Sequence, residues 1–141
     1  DVHGGNVTRD YTVRGNSVTQ VGLANVQSVL DWILEQQAQG NLPATFTDLV
    51  VMGCSAGSLG VQLWTPQFIE QLSWGRVGVV ADSYAGVFPA GSQEELIPAY
   101  GICPWLPESL SKACDAGTIN LQLIMNYNLE LVSMTTQAAF T

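Results

Sequence analysis

The sequence predicts an α/β fold in which a parallel β-sheet is flanked by helices, and three observations predict it. Residues 48–52 and 76–81 are short, continuous apolar runs, the pattern of strands buried on both faces. Residues 59–72 between them read as a helix. Strand, helix and strand in that order make a βαβ unit, whose crossover leaves the strands parallel. The length of 141 residues, 47% of them hydrophobic and 11% charged, fits one packed domain with a modest core. A small α+β domain is the alternative.

Residues 1–16 hold many Gly, Asn and Asp and read as loop. Ser17, with Gln20 three residues on, has the capping-box pattern and is expected to open a helix. Val26, Val29, Leu30, Ile33 and Leu34 give that helix one apolar face. Gly40 is a suitable stop, and Pro43 follows it. The first strand, 48–52, runs into Gly53-Cys54-Ser55-Ala56-Gly57. The helix after it is expected to kink or restart at Pro66. The second strand ends at Asp82. Residues 108–113 and 118–131 read as helices, and 132–140 as a third strand.

The net charge of −8 argues against nucleic acid and anionic membranes as partners, and Arg9, Arg14, Arg76 and Lys112 do not cluster. No apolar run has the length of a membrane span. The start, Asp1-Val2-His3-Gly4-Gly5, has neither an initiator Met nor an apolar signal core. We therefore expect a fragment, residues 1–141 forming one partial domain truncated at both ends, that does not fold stably alone. Cys103 and Cys114 are close enough in sequence to close a small loop, as an oxidising compartment allows, whereas Cys54 is expected to pack as a small buried residue. Asn6-Val7-Thr8 fits the glycosylation sequon. Together with the acidic charge, these features lean towards secretion.

Gly53-Cys54-Ser55-Ala56-Gly57 fits G-x-S-x-G and lies between an expected strand and an expected helix, the context of a nucleophile elbow. The turn is so sharp that side chains two before and two after the serine are expected to collide with strand and helix, so glycine fits at 53 and 57. Ser55 Oγ would stand off the sheet, with the N–H of Ala56, at the start of the helix, aimed at a developing oxyanion. The bland alternative is a structural turn. A serine nucleophile needs a histidine base held by a carboxylate, in the chain order Ser, acid, His for this fold. The one histidine, His3, precedes Ser55 and does not fill that slot.

"DLVVMGCSAGSLGVQLW" resembles the nucleophile region of the pectin acetylesterases and Notum-type carboxylesterases. "DVHGGN" at 1–6 and "VVADSYAGVF" at 79–88 resemble two further blocks of that family, in the same order and spacing. The resemblance covers residues 1 to 88 and is loose beyond them. It implies an α/β-hydrolase-like fold and a Ser-Asp-His triad, with Ser55 as nucleophile and Ala56 as backbone oxyanion donor. It implies no cofactor. The acid and histidine of the triad would come after residue 141, residues 132–140 resembling the strand that leads to the acid. The loop supplying the second oxyanion donor would precede residue 1. Ser58 replaces a family glycine. His3 matches a position outside the triad, one that would bind substrate by shaping the wall of the site.

Asp82 also matches a position outside the triad. At the C-terminal end of a strand, where open α/β sheets meet ligands, it reads as a catalytic acid, a site-lining carboxylate or a strand cap. Trp32, Trp64, Trp74 and Trp105 read as packing residues rather than a sugar platform. Asp1, His3 and Asp82 form no recognised metal motif, so no metal is expected. The function expected by resemblance is deacetylation of an acetylated polysaccharide such as pectin, in a secreted enzyme. A lipid deacylase or other carboxylesterase, and a non-catalytic binding protein on the same scaffold, are the alternatives.

Overall fold

The computed structural model describes residues 5–83 and 88–138. The described chain runs β1 (Arg9–Val13), β2 (Asn16–Gln20), α1 (Gly22–Ala38), β3 (Phe46–Cys54), α2 (Ala56–Gln71), β4 (Trp74–Asp82), α3 (Ser92–Ala99), a 3₁₀ turn (Cys103–Trp105), α4 (Glu108–Asp115) and α5 (Leu121–Ala138). It is a mixed α/β chain. The strands β3 and β4 pair in parallel, from Phe46 opposite Trp74 to Cys54 opposite Asp82, so β3–α2–β4 is the expected βαβ unit. Among the described residues this parallel sheet has two strands.

The sheet has two unlike faces. A Cβ on Gly53 would point at Gly57 and Val61 of α2, so the strand's alternation turns Leu49 and Val51 to that face as well. Val50, Met52 and Cys54 turn the other way and are exposed, Met52 by 70% and Val50 by 58%. Between α1, α2 and the outer edge of β3 lies an open, mainly apolar groove of about 560 Å³, lined by Val26, Ile33, Leu49, Val61 and Phe68 and also by Val50 and Met52 from the other side of the strand. The densest core lies between α2 and the C-terminal helices, where Leu63, Trp64, Ile97, Ile102, Ile119 and Ile124 are buried together. Cys103 and Cys114 form a disulfide with a Cα–Cα distance of 5.7 Å, which ties the 3₁₀ turn to α4.

Pro66 lies inside α2, which neither stops nor restarts there. Proline has no N–H to offer the carbonyl four residues back, that of Gln62. Asn128 Nδ2 of α5 donates to this carbonyl instead, at 2.9 Å, and so joins the two helices.

Four expectations are corrected. Residues 9–20 form an antiparallel hairpin, and the helix begins at Gly22 rather than Ser17. Arg14 and Gly15 take left-handed backbone, φ 50° and 81°, the two-residue turn that matches strand twist. Tyr11, Val13 and Val18 alternate with polar residues around it. The second correction concerns 132–138, which continue α5 rather than forming a strand. Leu121, Ile124 and Asn128 are buried at helical spacing, and Asn120 Oδ1 caps the helix by accepting the Leu123 N–H at 3.0 Å. Third, Cys54 is a free, exposed thiol, because β3 turns it to the open face. Fourth, Val29 is exposed on α1, whose buried side is centred on Leu30. Gly40 does end the α1 region, in left-handed conformation at φ 77°.

Candidate functional site

The serine turn joins β3 directly to α2. Ser55 is the residue between them, and its backbone stands at φ 55°, ψ −121°. That is a costly conformation for a residue with a Cβ, worth about 1–3 kcal/mol, and such strain concentrates at functional sites. Three hydrogen bonds hold it. The Ser55 N–H donates to the Asp82 carbonyl at 3.0 Å, which fastens the turn to the end of the neighbouring strand. The Ser55 carbonyl accepts from the Ser58 N–H at 3.0 Å and from Ser58 Oγ at 2.6 Å. Ser58, at the position where the resembling family has glycine, is fully buried and braces the turn.

Gly53 is required by packing. A Cβ there would lie 2.4 Å from the Gly57 carbonyl oxygen and 2.9 Å from Val61 Cγ2. Gly57 is different. A Cβ on it would meet nothing within 4 Å, so the collision expected at this second glycine does not occur. The helix has already turned away at that point.

Among the described residues Ser55 Oγ has no hydrogen-bond partner. A serine before a helix normally bends its oxygen back to cap the first turn. Ser55 makes no such bond and is exposed. The Ala56 N–H opens the helix and has no intrahelical acceptor, so the positive end of α2 carries a free donor beside the hydroxyl. Such a hydroxyl could attack an acyl carbon only with a base to take its proton; the Ala56 N–H beside it is placed where a developing negative charge would form.

Asp82 is at the elbow through its main chain. Its register partner is Cys54, which places both side chains on the face of the sheet away from α2. No hydrogen bond joins its carboxylate to Ser55 among the described residues, and what it supplies there is the carbonyl that holds the Ser55 N–H. Ser83, next along, is also left-handed at φ 56°. His3 and Asp1 lie outside the described residues, as do 84–87 of the third resembling block.

Trp64 is buried in the core, and Trp74 Nε1 donates to the Ile69 carbonyl at 3.1 Å, both packing roles. Trp32 and Trp105 are exposed. Among the described residues no cluster of three or more His, Cys, Asp or Glu forms a metal site, and no helix is long and apolar enough to cross a membrane. Sequence reading missed two parts of this site, the bracing Ser58 hydroxyl and the Asp82 carbonyl. A carbonyl contact leaves no trace in a side-chain pattern, whereas a serine three residues after the strained one is a visible one. No protein-family model, curated protein or solved structure matches the chain, so its functional reading rests on the residues and the geometry of this turn.

Proposed function

We propose that this chain carries the nucleophile elbow of a serine carboxylic-ester hydrolase of the α/β-hydrolase type, with Ser55 as nucleophile and the Ala56 N–H as one oxyanion donor. The observation that carries the proposal is the strained backbone of Ser55, which leaves an exposed, uncapped hydroxyl at a strand-to-helix turn. In the reaction, Ser55 Oγ attacks the ester carbonyl carbon and its proton passes to a histidine base. The tetrahedral oxyanion forms against the Ala56 N–H and collapses with loss of the alcohol, which takes that proton. Water then attacks the acyl-enzyme and releases the carboxylic acid with Ser55 restored. No histidine follows Ser55 in the sequence given, so on this reading the base is not among residues 56–141. The first-choice substrate is an acetylated polysaccharide such as pectin, by resemblance of the elbow and its two companion blocks to the pectin acetylesterases. The protein would act outside the cell and needs no cofactor for this step.

Fluorophosphonate labelling of the full-length protein tests the reading. The expected result is a modified serine in the tryptic peptide between Arg14 and Arg76, lost in Ser55→Ala. The second reading, a binding protein on the same scaffold, is favoured by one observation: no described group is bonded to Ser55 Oγ as a base. A folded full-length protein that stays unlabelled would establish it over the first.

A further inference from the structure

The β1–β2 hairpin is separate from the elbow and has a chemistry of its own. Its strand residues are exposed, with Gln20 alone half-buried. An isolated two-stranded hairpin is marginal in water, and a third strand is the usual remedy. The two-residue turn at Arg14–Gly15 makes Val13 and Asn16 a hydrogen-bonded pair. Alternation then makes Tyr11–Val18 and Arg9–Gln20 hydrogen-bonded pairs too, so Asp10 and Thr12 turn their N–H and C=O groups outward. The Thr19 Oγ1 to Asp10 Oδ1 hydrogen bond, 2.5 Å, agrees with this, because side chains approach most closely at a non-hydrogen-bonded pair. Among the described residues β1 therefore presents an unpaired edge.

The side chains beside that edge define a partner. Arg9, Tyr11 and Val13 share one face with Val18, and the three apolar residues are 44–52% exposed. The described residues hold two ion pairs, Arg76–Asp48 and Lys112–Glu108. Arg9 and Arg14, the other two of the chain's four cations, have no carboxylate partner among the described residues. One lies at the base of β1 and one at its tip, with the apolar stripe between them. The rest of the chain is strongly acidic, but at physiological salt charges more than about 8 Å away are largely screened. Within that range Asp10 lies on β1 itself, its carboxylate on the other face and bonded to Thr19 Oγ1, and Arg9 and Arg14 leave this edge net positive.

We infer that the β1 edge is a docking site for an extended acidic peptide segment of a partner protein, which adds as a third strand with carboxylates at Arg9 and Arg14 and apolar residues against Tyr11 and Val13. The inference is independent of ester hydrolysis at Ser55. The probe is a capped peptide, Glu-Thr-Val-Thr-Val-Thr-Glu, titrated into the ¹⁵N-labelled full-length protein. The expected result is saturable binding below about 1 mM, with shifts centred on the Asp10 and Thr12 amides and about a tenfold loss of affinity in the Arg9→Glu, Arg14→Glu double variant. The same peptide N-methylated at its threonines keeps every charge and side chain but loses the main-chain bonds, and is expected not to bind. Absence of saturable binding overturns the inference. So does equal affinity for the N-methylated peptide or for the peptide with Lys in place of Glu. Binding of polygalacturonate or of anionic vesicles with none of the peptide also overturns it, and assigns the arginines to those ligands.

Discussion

The two glycines of the elbow motif do different work. Gly53 faces α2, and a methyl group there would sit inside the van der Waals radius of the Gly57 carbonyl. Gly57 opens to space, on the first turn of a helix. Gly53→Ala is expected to destabilise the chain by about 1–3 kcal/mol, as overpacking against backbone does. Gly57→Ala is expected to be neutral or to stabilise by up to about 1 kcal/mol, because alanine is the better helix former. Urea denaturation of the two variants checks the contrast, and equal effects would mean that the turn is not built as described. Ser55 belongs to the same argument. Its strain is tolerated because the Asp82 carbonyl and Ser58 hold the backbone on both sides, and its hydroxyl makes no cap bond.

At the scale of elements, α2 shows how a local flaw becomes a tertiary contact. Pro66 leaves the Gln62 carbonyl without its helical donor, and Asn128 reaches across from α5 to supply one. Asn128→Ala is expected to cost about 1–3 kcal/mol, since it strands a buried carbonyl. In a Pro66→Ala background, where the residue 66 N–H returns, the same change is expected to cost at least about 1 kcal/mol less. A double-mutant cycle by chemical denaturation measures the difference, and strict additivity would deny the coupling. The proline was visible in the sequence and its consequence was not, because Asn128 is remote in the chain. The same division runs through the fold. β3 and β4 were legible as short apolar runs, and α2 as the stretch between them. The hairpin was not, because Ser17 and Gln20 imitate a helix cap, while its real signal is Arg14–Gly15 in left-handed turn geometry between alternating residues. The stretch 132–138 was misread because a β-branched and polar run looks like a strand when the helical register set by Leu121 and Ile124 is ignored. The serine of the site was legible in its motif, and the carbonyl and hydroxyl that hold it were not fully so.

At the scale of the molecule, the described residues clothe the parallel sheet on one side. α2 and α5 pack on the Gly53 face, whereas Val50, Met52 and Val80 are exposed on the other. Parallel strands are ordinarily covered on both faces, so this surface is more apolar than a solvated sheet requires. A Val50→Thr, Met52→Thr variant is expected to bind less of the dye ANS, while its unfolding free energy changes by no more than about 0.5 kcal/mol, as for surface positions generally. Unchanged dye binding would show that the open face is not the apolar surface the dye reads. Finally, the chain's three cysteines divide into one bridged pair and one free thiol. That thiol, Cys54, is exposed and one residue from Ser55. A maleimide fluorophore or spin label can therefore be attached beside the elbow with no engineered cysteine, and the native sequence becomes its own reporter of what enters that site.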